Sequence, residues 1–156
     1  MSNKIIFLDI DGVLNTRKTV RKTSDGMAFV DARKVLRLRD IVERTGAKIV
    51  LSSSWRYGAT KGATPMEQLA YCELQEEFRR LQCPLWIDIT PCFPQAKRWR
   101  EINAWLMLHD VDSFVILDDL WEELLPFNDH LVTTTLKEGL TKERAELGIE
   151  ILNKGE

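Results

Sequence analysis

Short apolar runs alternate along this chain with longer segments in which apolar residues recur at helical spacing. The apolar runs predict buried strands at residues 4–8, 47–51, 85–89, 113–117 and 131–134. The helical spacing predicts helices at about residues 31–46, 66–82 and 96–109, and a last helix that Thr141 caps. A short helical turn over residues 120–125 is expected to stop at Pro126. Strands that alternate with helices predict an α/β fold, a three-layer Rossmann-like parallel sheet of about five strands with helices on both faces.

Residues 13–29 interrupt this alternation with a polar segment that predicts a loop or small flap. The segment carries a basic cluster formed by Arg17, Lys18, Arg21 and Lys22. Two interpretations stay open for this cluster. It is either a solvated charge run or a rim that attracts phosphate to a neighbouring site.

Composition narrows the class of protein. The chain has 156 residues, 44% of them hydrophobic, which fits one domain over residues 1–156. A net charge of −2 gives no global attraction for nucleic acid or for an anionic membrane. No apolar stretch is long enough to cross a membrane, and the sequence opens on a strand instead of a signal peptide, so we expect a cytoplasmic protein.

The three cysteines, Cys72, Cys83 and Cys92, are odd in number and lack the CxxC spacing of a metal site. This pattern argues against a disulfide framework and against structural zinc. We expect reduced thiols, most of them buried.

Polar side chains follow three of the predicted strands at the point where each strand ends. Asp9 and Asp11 come after the first strand, the serine run 52–54 after the second, and Asp118 and Asp119 after the fourth. In a parallel sheet these groups meet at one edge, where α/β proteins bind ligands. Four carboxylates there would repel one another by several kcal/mol, so a divalent cation is expected. Oxygen ligands favour Mg²⁺, and hydroxyls with nearby cations suit a phosphate.

These segments resemble a known family. The run Asp9-Ile10-Asp11-Gly12, the strand-end serines, the basic residues before Glu101 and the pair Asp118-Asp119 resemble the four motifs of the haloacid dehalogenase (HAD) superfamily, in the same order. The SSSWR segment at 52–56, the helix at 98–106 and the Gly-Leu-Thr at 139–141 resemble the HAD domains of RNA-repair proteins. Those domains are akin to the 3′-phosphatase part of polynucleotide kinase/phosphatases. The resemblance spans about residues 4–152.

The resemblance implies a role for each motif residue. Asp9 would be the nucleophile that forms an aspartyl-phosphate, and Asp11 would protonate the leaving oxygen and then activate water. Mg²⁺ would be held by the Asp9 carboxylate, the main-chain carbonyl of Asp11, and Asp118, with Asp119 bound directly or through water. Ser53 would hydrogen-bond a phosphoryl oxygen, and Arg98 would neutralise charge in the transition state.

Several assignments leave alternatives open. Ser52 would take the role of Ser53 if the end of the second strand shifts by one residue, because the shift changes which hydroxyl points inward. Lys97 and Arg100 compete with Arg98, which is chosen because it lies four residues before Ile102, as in the RNA-repair domains that the chain resembles. A guanidinium can also bind phosphate bidentately. Gly12 and Lys97 join the candidate substrate-binding residues, and Arg56 is either a phosphate contact or a structural ion pair. The tryptophans are expected in the core, although Trp55 or Trp86 would also suit stacking on a base.

The expected function is therefore a Mg²⁺-dependent phosphomonoester hydrolase. About 40 residues separate the first two motifs, so no large cap domain is expected, and capless members of the superfamily tend to act on large substrates. A nucleic-acid 3′-phosphate or a nucleotide is the expected partner, with no membrane and no obligate protein partner. Two alternatives are a receiver-like phosphoacceptor domain and a catalytically idle HAD domain that serves as a binding subunit. The DxD-first motif order and the intact Asp9 and Asp11 argue against them.

Overall fold

A computed structural model describes residues 2–24 and 26–156, so residue 25 of the predicted flap lies outside the described residues. Within these described residues, five strands form one sheet in which every pairing is parallel, in the order β3-β2-β1-β4-β5. The predicted α/β class is confirmed. The strands are β1 Lys4–Leu8, β2 Lys48–Leu51, β3 Asp88–Ile89, β4 Ser113–Asp118 and β5 Leu131–Thr133.

Four α-helices connect or follow these strands: α1 Ala32–Thr45, α2 Pro65–Arg80, α3 Arg98–Met107 and α4 Lys142–Asn153. The expected ends of α1 are confirmed. The Asp31 side chain accepts a hydrogen bond from the Arg33 amide at the start, and Gly46 closes the helix with a left-handed φ of 73°. The Thr141 side chain caps α4 by accepting from the Arg144 amide, as predicted.

The helices cover both faces of the sheet. Ile6 and Leu8 of β1 pack in the same core as α1, α2 and α4, whereas Ile5 and Phe7 pack with α3. Because strand side chains alternate, Asp9 continues on the face that α3 covers. Among the described helices, none combines the length and the apolar composition that crossing a membrane requires.

The expected stop of the helical turn at Pro126 is confirmed to within one residue. The segment Trp121–His130 consists of two short helices that meet at a kink. The first leaves helical geometry at Phe127, directly after Pro126, where φ is −113° and ψ is 28°. Burial of Leu124 against the α3 face of the sheet holds this segment in place.

The predicted flap is shorter than residues 13–29. Val13 and Leu14 are buried, and their carbonyls accept hydrogen bonds from Leu140 N at 2.8 Å and from Asp31 N at 2.7 Å. The remainder is mostly exposed among its described residues, although Asn15, Thr23 and Phe29 are buried, and it includes an antiparallel bridge between Lys22 and Ala28. The first residues of the segment therefore belong to the core because their apolar side chains are used there.

The expectation that most cysteines are buried is wrong, because Cys72 and Cys92 are exposed and only Cys83 is buried. Burial raises the pKa of the Cys83 thiol to about 12.

We expect a thiol-specific alkylating reagent at pH 8 to label Cys72 and Cys92 in the folded protein, and Cys83 only after denaturation. Mass spectrometry of labelled peptides measures this, and fast labelling of Cys83 in the native protein would contradict it.

Candidate active site

The carboxyl edge of the sheet continues one residue beyond the strands. Asp9 N donates to Leu117 O at 3.0 Å, Ser52 N to Leu8 O at 2.9 Å, and Thr90 N to Leu51 O at 3.0 Å. With Leu8 paired to both Leu51 and Leu117, the next residues Thr90, Ser52, Asp9 and Asp118 form one row across four strands. Their side chains share the face that α3 covers.

Three carboxylates converge at this edge. Ligand oxygens of Asp9, Asp118 and Asp119 lie within 4.8 Å of one another, and the first two residues are buried. Gly12 makes room for the third, since a Cβ at Gly12 would lie 2.5 Å from Asp119 Oδ2. Its φ of 80° also favours glycine, so Gly12 has a steric role beside the acid cluster.

The surroundings of Asp9 and Asp119 disfavour the ionised form of both carboxyl groups. Burial, followed by the charge of Asp118, raises the pKa of Asp9 well above its ordinary value, although Arg98 opposes the increase. Burial and Asp118 also raise the pKa of Asp119. A dense set of carboxylate oxygens with raised pKa values suits a hard divalent cation such as Mg²⁺.

One cation already faces the cluster. Arg98 Nη1 lies 2.9 Å from Asp118 Oδ2 and 3.4 Å from Asp9 Oδ1. Its backbone amide, at the first residue of α3, donates to Glu123 Oε1 at 3.0 Å. The competing candidates are exposed: Lys97 is the N-cap residue of α3, and the Arg100 guanidinium lies over the ring of Trp99. The arrangement places Arg98 at the site.

Asp11 lies at the exposed side of the site, where two donors hold its carboxylate. Asn15 Nδ2 donates to Oδ1 at 2.9 Å, and Trp55 Nε1 donates to Oδ2 at 3.1 Å. Asn15 Oδ1 in turn accepts from Gly12 N at 3.0 Å. Sequence reasoning missed both donors. The position of Asn15, four residues after Asp11 in the same tight turn, was the available signal.

Comparison with known proteins bears on this arrangement. Residues 5–145 match the family model described as the HAD domain in Swiss Army Knife RNA repair proteins. The chain belongs to this family. The match covers every residue from Asp9 to Asp119 discussed above. No curated protein matches the chain.

Membership of the HAD family suggests a phosphatase-type hydrolase. The superfamily generally uses Mg²⁺, and the cluster of Asp9, Asp118 and Asp119 provides oxygen ligands of the kind this ion binds. Of the four acids that the sequence placed at one edge of the sheet, Asp9, Asp118 and Asp119 are found together. The expectation is wrong for the Asp11 carboxylate, which lies outside this cluster because Asn15 and Trp55 hold it at the exposed side.

The two candidate serines of this HAD domain differ in their surroundings. Both are fully buried. Ser53 Oγ accepts from Trp55 N at 3.2 Å and caps the 3₁₀ helix Ser54–Ala59. The Ser52 hydroxyl has no hydrogen-bond partner among the described residues, and it stands next to Asp9 in the strand-end row. A buried hydroxyl without a partner is costly unless a ligand supplies one.

Arg56 is buried and connects three segments of the HAD domain. Nη1 donates to the carbonyls of Ser52 and Ser53, each at 2.8 Å, Nε donates to Thr90 O at 3.1 Å, and Nη2 donates to Pro91 O at 3.2 Å. Nη2 also lies 2.9 Å from Glu101 Oε1 on α3. The guanidinium is fully engaged, which favours the structural ion pair over a phosphate contact.

We expect Arg56→Ala to lower the free energy of unfolding by about 3–5 kcal/mol, because it leaves Glu101 buried and unpaired. Urea denaturation followed by circular dichroism measures the change. Arg79→Ala is the matched control, since Arg79 is exposed on α2 and should change stability by less than about 0.5 kcal/mol. An equal effect for the two variants would contradict the assigned role.

Proposed function

We propose that residues 1–156 form one HAD domain that hydrolyses phosphomonoesters with the help of Mg²⁺, through an aspartyl-phosphate on Asp9. The observation that supports this most strongly is the position of Asp9. It is buried in the acid cluster with Arg98 at 3.4 Å, while Asp11 lies at the open side of the same turn. The segment that follows β1 would thus supply both the nucleophile, Asp9, and the proton donor, Asp11.

The proposed reaction has two steps. In the first, a carboxylate oxygen of Asp9 attacks phosphorus, the bond from phosphorus to the ester oxygen breaks, and Asp11 gives its proton to the departing oxygen. In the second, water attacks the aspartyl-phosphate, Asp11 takes the water proton, and the bond between Asp9 and phosphorus breaks to release phosphate. Arg98 offsets the negative charge that the transferring group brings to the buried carboxylates.

The residues that would hold Mg²⁺ are Asp9, Asp118 and Asp119 through their carboxylates, and Asp11 through its main-chain carbonyl. When bound, the ion would supply the positive charge that lets an anionic nucleophile approach an anionic phosphate. The raised pKa values of Asp9 and Asp119 support this assignment, because burial and the charge of Asp118 both disfavour ionisation there, and a bound cation would offset them.

For the hydroxyl that binds a phosphoryl oxygen, the geometry favours Ser52 over Ser53. Ser52 shares the strand-end row with Asp9, and its hydroxyl lacks a partner among the described residues. Ser53 is occupied as a helix cap, although its hydroxyl hydrogen is still free to donate. Arg56 would then act on the substrate indirectly, by holding the carbonyl groups of both serines.

The proposed substrate is a nucleic-acid 3′-phosphate or a nucleotide. The family description, which refers to RNA repair proteins, supports this choice. So does the short connection between β1 and β2, whose described residues form a loop and α1 and no separate cap domain. Lys97, exposed at the start of α3, is proposed to contact the substrate outside the acid cluster.

A phosphate-release assay tests this proposal. The substrates are 3′- and 5′-phosphorylated oligonucleotides, mononucleotides and sugar phosphates, each with Mg²⁺ and with a chelator. We expect many turnovers per protein molecule with Mg²⁺ and none with the chelator. A single equivalent of bound phosphate would favour the receiver-like phosphoacceptor instead, and no reaction with any substrate would favour the idle HAD domain. Preference for mononucleotides over oligonucleotides would contradict the repair substrate alone.

A further inference from the structure

A groove of about 320 Å³ opens beside Asp11, and its walls are mostly apolar. Trp55 and Tyr57 come from the 3₁₀ helix that follows β2, Met66 from α2, and Met27 from the flap. Met27, Tyr57 and Met66 are exposed, at 60%, 41% and 56%. Three large apolar side chains therefore face solvent around one concavity, an arrangement typical of a binding site.

A hydrogen bond and close packing fix the position of the groove walls. The Trp55 indole is fixed on one side by its hydrogen bond to Asp11 and on another by Phe29, whose ring centroid is 6.3 Å away. Gly58 closes the groove against α2, since a Cβ there would lie 2.3 Å from the carbonyl oxygen of Glu67. The aromatic wall is thus held at a set distance from α2.

The chemistry of the walls points to an uncharged, flat ligand. The charged side chains of the groove are the carboxylates Asp11 and Glu67, with no Lys or Arg among the described lining residues. Glu67 is also committed to the capping box of α2, where it accepts from Thr64 N at 2.9 Å. Such a groove repels a second phosphate. Aromatic and thioether walls instead favour stacking and sulfur–ring contacts.

The groove lies beside Asp11, where the leaving group of the proposed reaction is expected. In the proposed reaction Asp11 protonates the ester oxygen, so the group attached to that oxygen lies next to Asp11. Another concavity, of about 310 Å³, is lined by Asp119, Glu122 and Glu123 together with Leu120 and Trp121. It adjoins Asp119 of the acid cluster, and Asp11 is not among its described lining residues.

We propose that the groove formed by Met27, Trp55, Tyr57 and Met66 binds an uncharged aromatic ring carried by the leaving group of the phosphomonoester, as a nucleobase is carried by a nucleotide. This inference rests on the proposed function, and it names the part of the site that selects the substrate. The ring belongs either to a free nucleotide or to the terminal nucleoside of a nucleic acid, and the two sources present the same chemistry to the groove.

Paired substrates that differ only in the ring test this inference. We expect kcat/KM for adenosine 5′-monophosphate to exceed that for ribose 5-phosphate by about 10-fold or more, the contribution of stacking one base. The same comparison is made between a 3′-phosphorylated oligonucleotide and one whose last nucleotide is abasic. The pair with the larger ratio identifies the source of the ring. Equal kcat/KM within both pairs would overturn the inference, while hydrolysis of all four substrates would leave the proposed function standing.

Met66→Glu is the test variant, because it adds a charge to the groove without touching the acid cluster. We expect it to lower kcat/KM for adenosine 5′-monophosphate more than kcat/KM for ribose 5-phosphate, and so to remove most of the preference for the ring. Met107→Glu is the matched control, since Met107 is 77% exposed at the far end of α3 from Arg98 and should change neither rate. Equal losses on both substrates for Met66→Glu would contradict the inference.

A binding measurement keeps the inference testable if the protein hydrolyses nothing. The Trp55 indole N–H gives its own signal in a nitrogen–proton correlation spectrum, assigned with Trp55→Phe. Since this N–H donates to Asp11, both compounds can shift the signal, and we expect adenosine 5′-monophosphate to shift it further than ribose 5-phosphate does. Equal shifts with both compounds, or none with either, would overturn the groove assignment. Ring-dependent shifts without phosphate release would instead contradict the proposed function alone.

Discussion

Asp9→Asn is expected to lower the rate of phosphate release by at least about 10⁴-fold, because it replaces the nucleophile of the proposed two-step reaction. The amide has nearly the same shape as the carboxylate but cannot form the aspartyl-phosphate. The variant keeps an oxygen at the position of Asp9 Oδ1, which lies 3.4 Å from Arg98 Nη1 in the native protein. Phosphate release with the best substrate of the screen measures the effect.

Stability separates loss of chemistry from loss of fold in this variant. Burial and Asp118 raise the pKa of the Asp9 carboxyl, so its ionised form destabilises the metal-free protein at neutral pH. We therefore expect Asp9→Asn to unfold at the same or a higher temperature than the native protein without Mg²⁺. Asp129→Asn is the control, since Asp129 is exposed and lies just before β5, at the opposite edge of the sheet. Native-like activity in Asp9→Asn would refute the nucleophile assignment.

The sequence predicts the acid cluster well because the rules that place it are local. An apolar run followed by Asp9 and Asp11 predicts the end of a buried strand, and the parallel topology brings Asp118 to the same edge. The ends of α1 were also predictable, since Asp31 and Gly46 set them through their own backbone geometry.

Other parts of the site depend on contacts between distant segments. The Arg56 guanidinium pairs with Glu101, 45 positions further along the chain, and no spacing rule indicates that pairing. The hydrogen bond from Trp55 to Asp11 likewise spans 44 positions. The choice between Ser52 and Ser53 depended on where β2 ends, because a shift of one residue reverses which side chain faces α3. The hydrogen bond from Ser52 N to Leu8 O places Ser52 in the row with Asp9.

The second large effect that we expect is the loss of phosphate release when Mg²⁺ is removed. Asp118→Asn is the variant that tests the same proposed ion site. Asp118 is fully buried, with Oδ2 2.9 Å from Arg98 Nη1 and Oδ1 accepting from Leu120 N at 2.9 Å. A ligand held this firmly is pre-oriented for the ion. We expect Asp118→Asn to weaken the apparent affinity for Mg²⁺ by at least about 100-fold and to reduce phosphate release accordingly.

Thermal unfolding, measured over a range of pH, tests Mg²⁺ binding independently of enzymatic activity. The raised pKa values of Asp9 and Asp119 mean that the folded metal-free protein binds more protons than the unfolded chain between the ordinary and the raised values. Its stability therefore falls as the pH rises through that window. Bound Mg²⁺ should reverse the fall, adding about 2.7 kcal/mol at 100 times its dissociation constant. An equal stabilisation by KCl of the same ionic strength, or by Mg²⁺ in Asp118→Asn, would show that the effect is screening and that the acid cluster holds no specific ion.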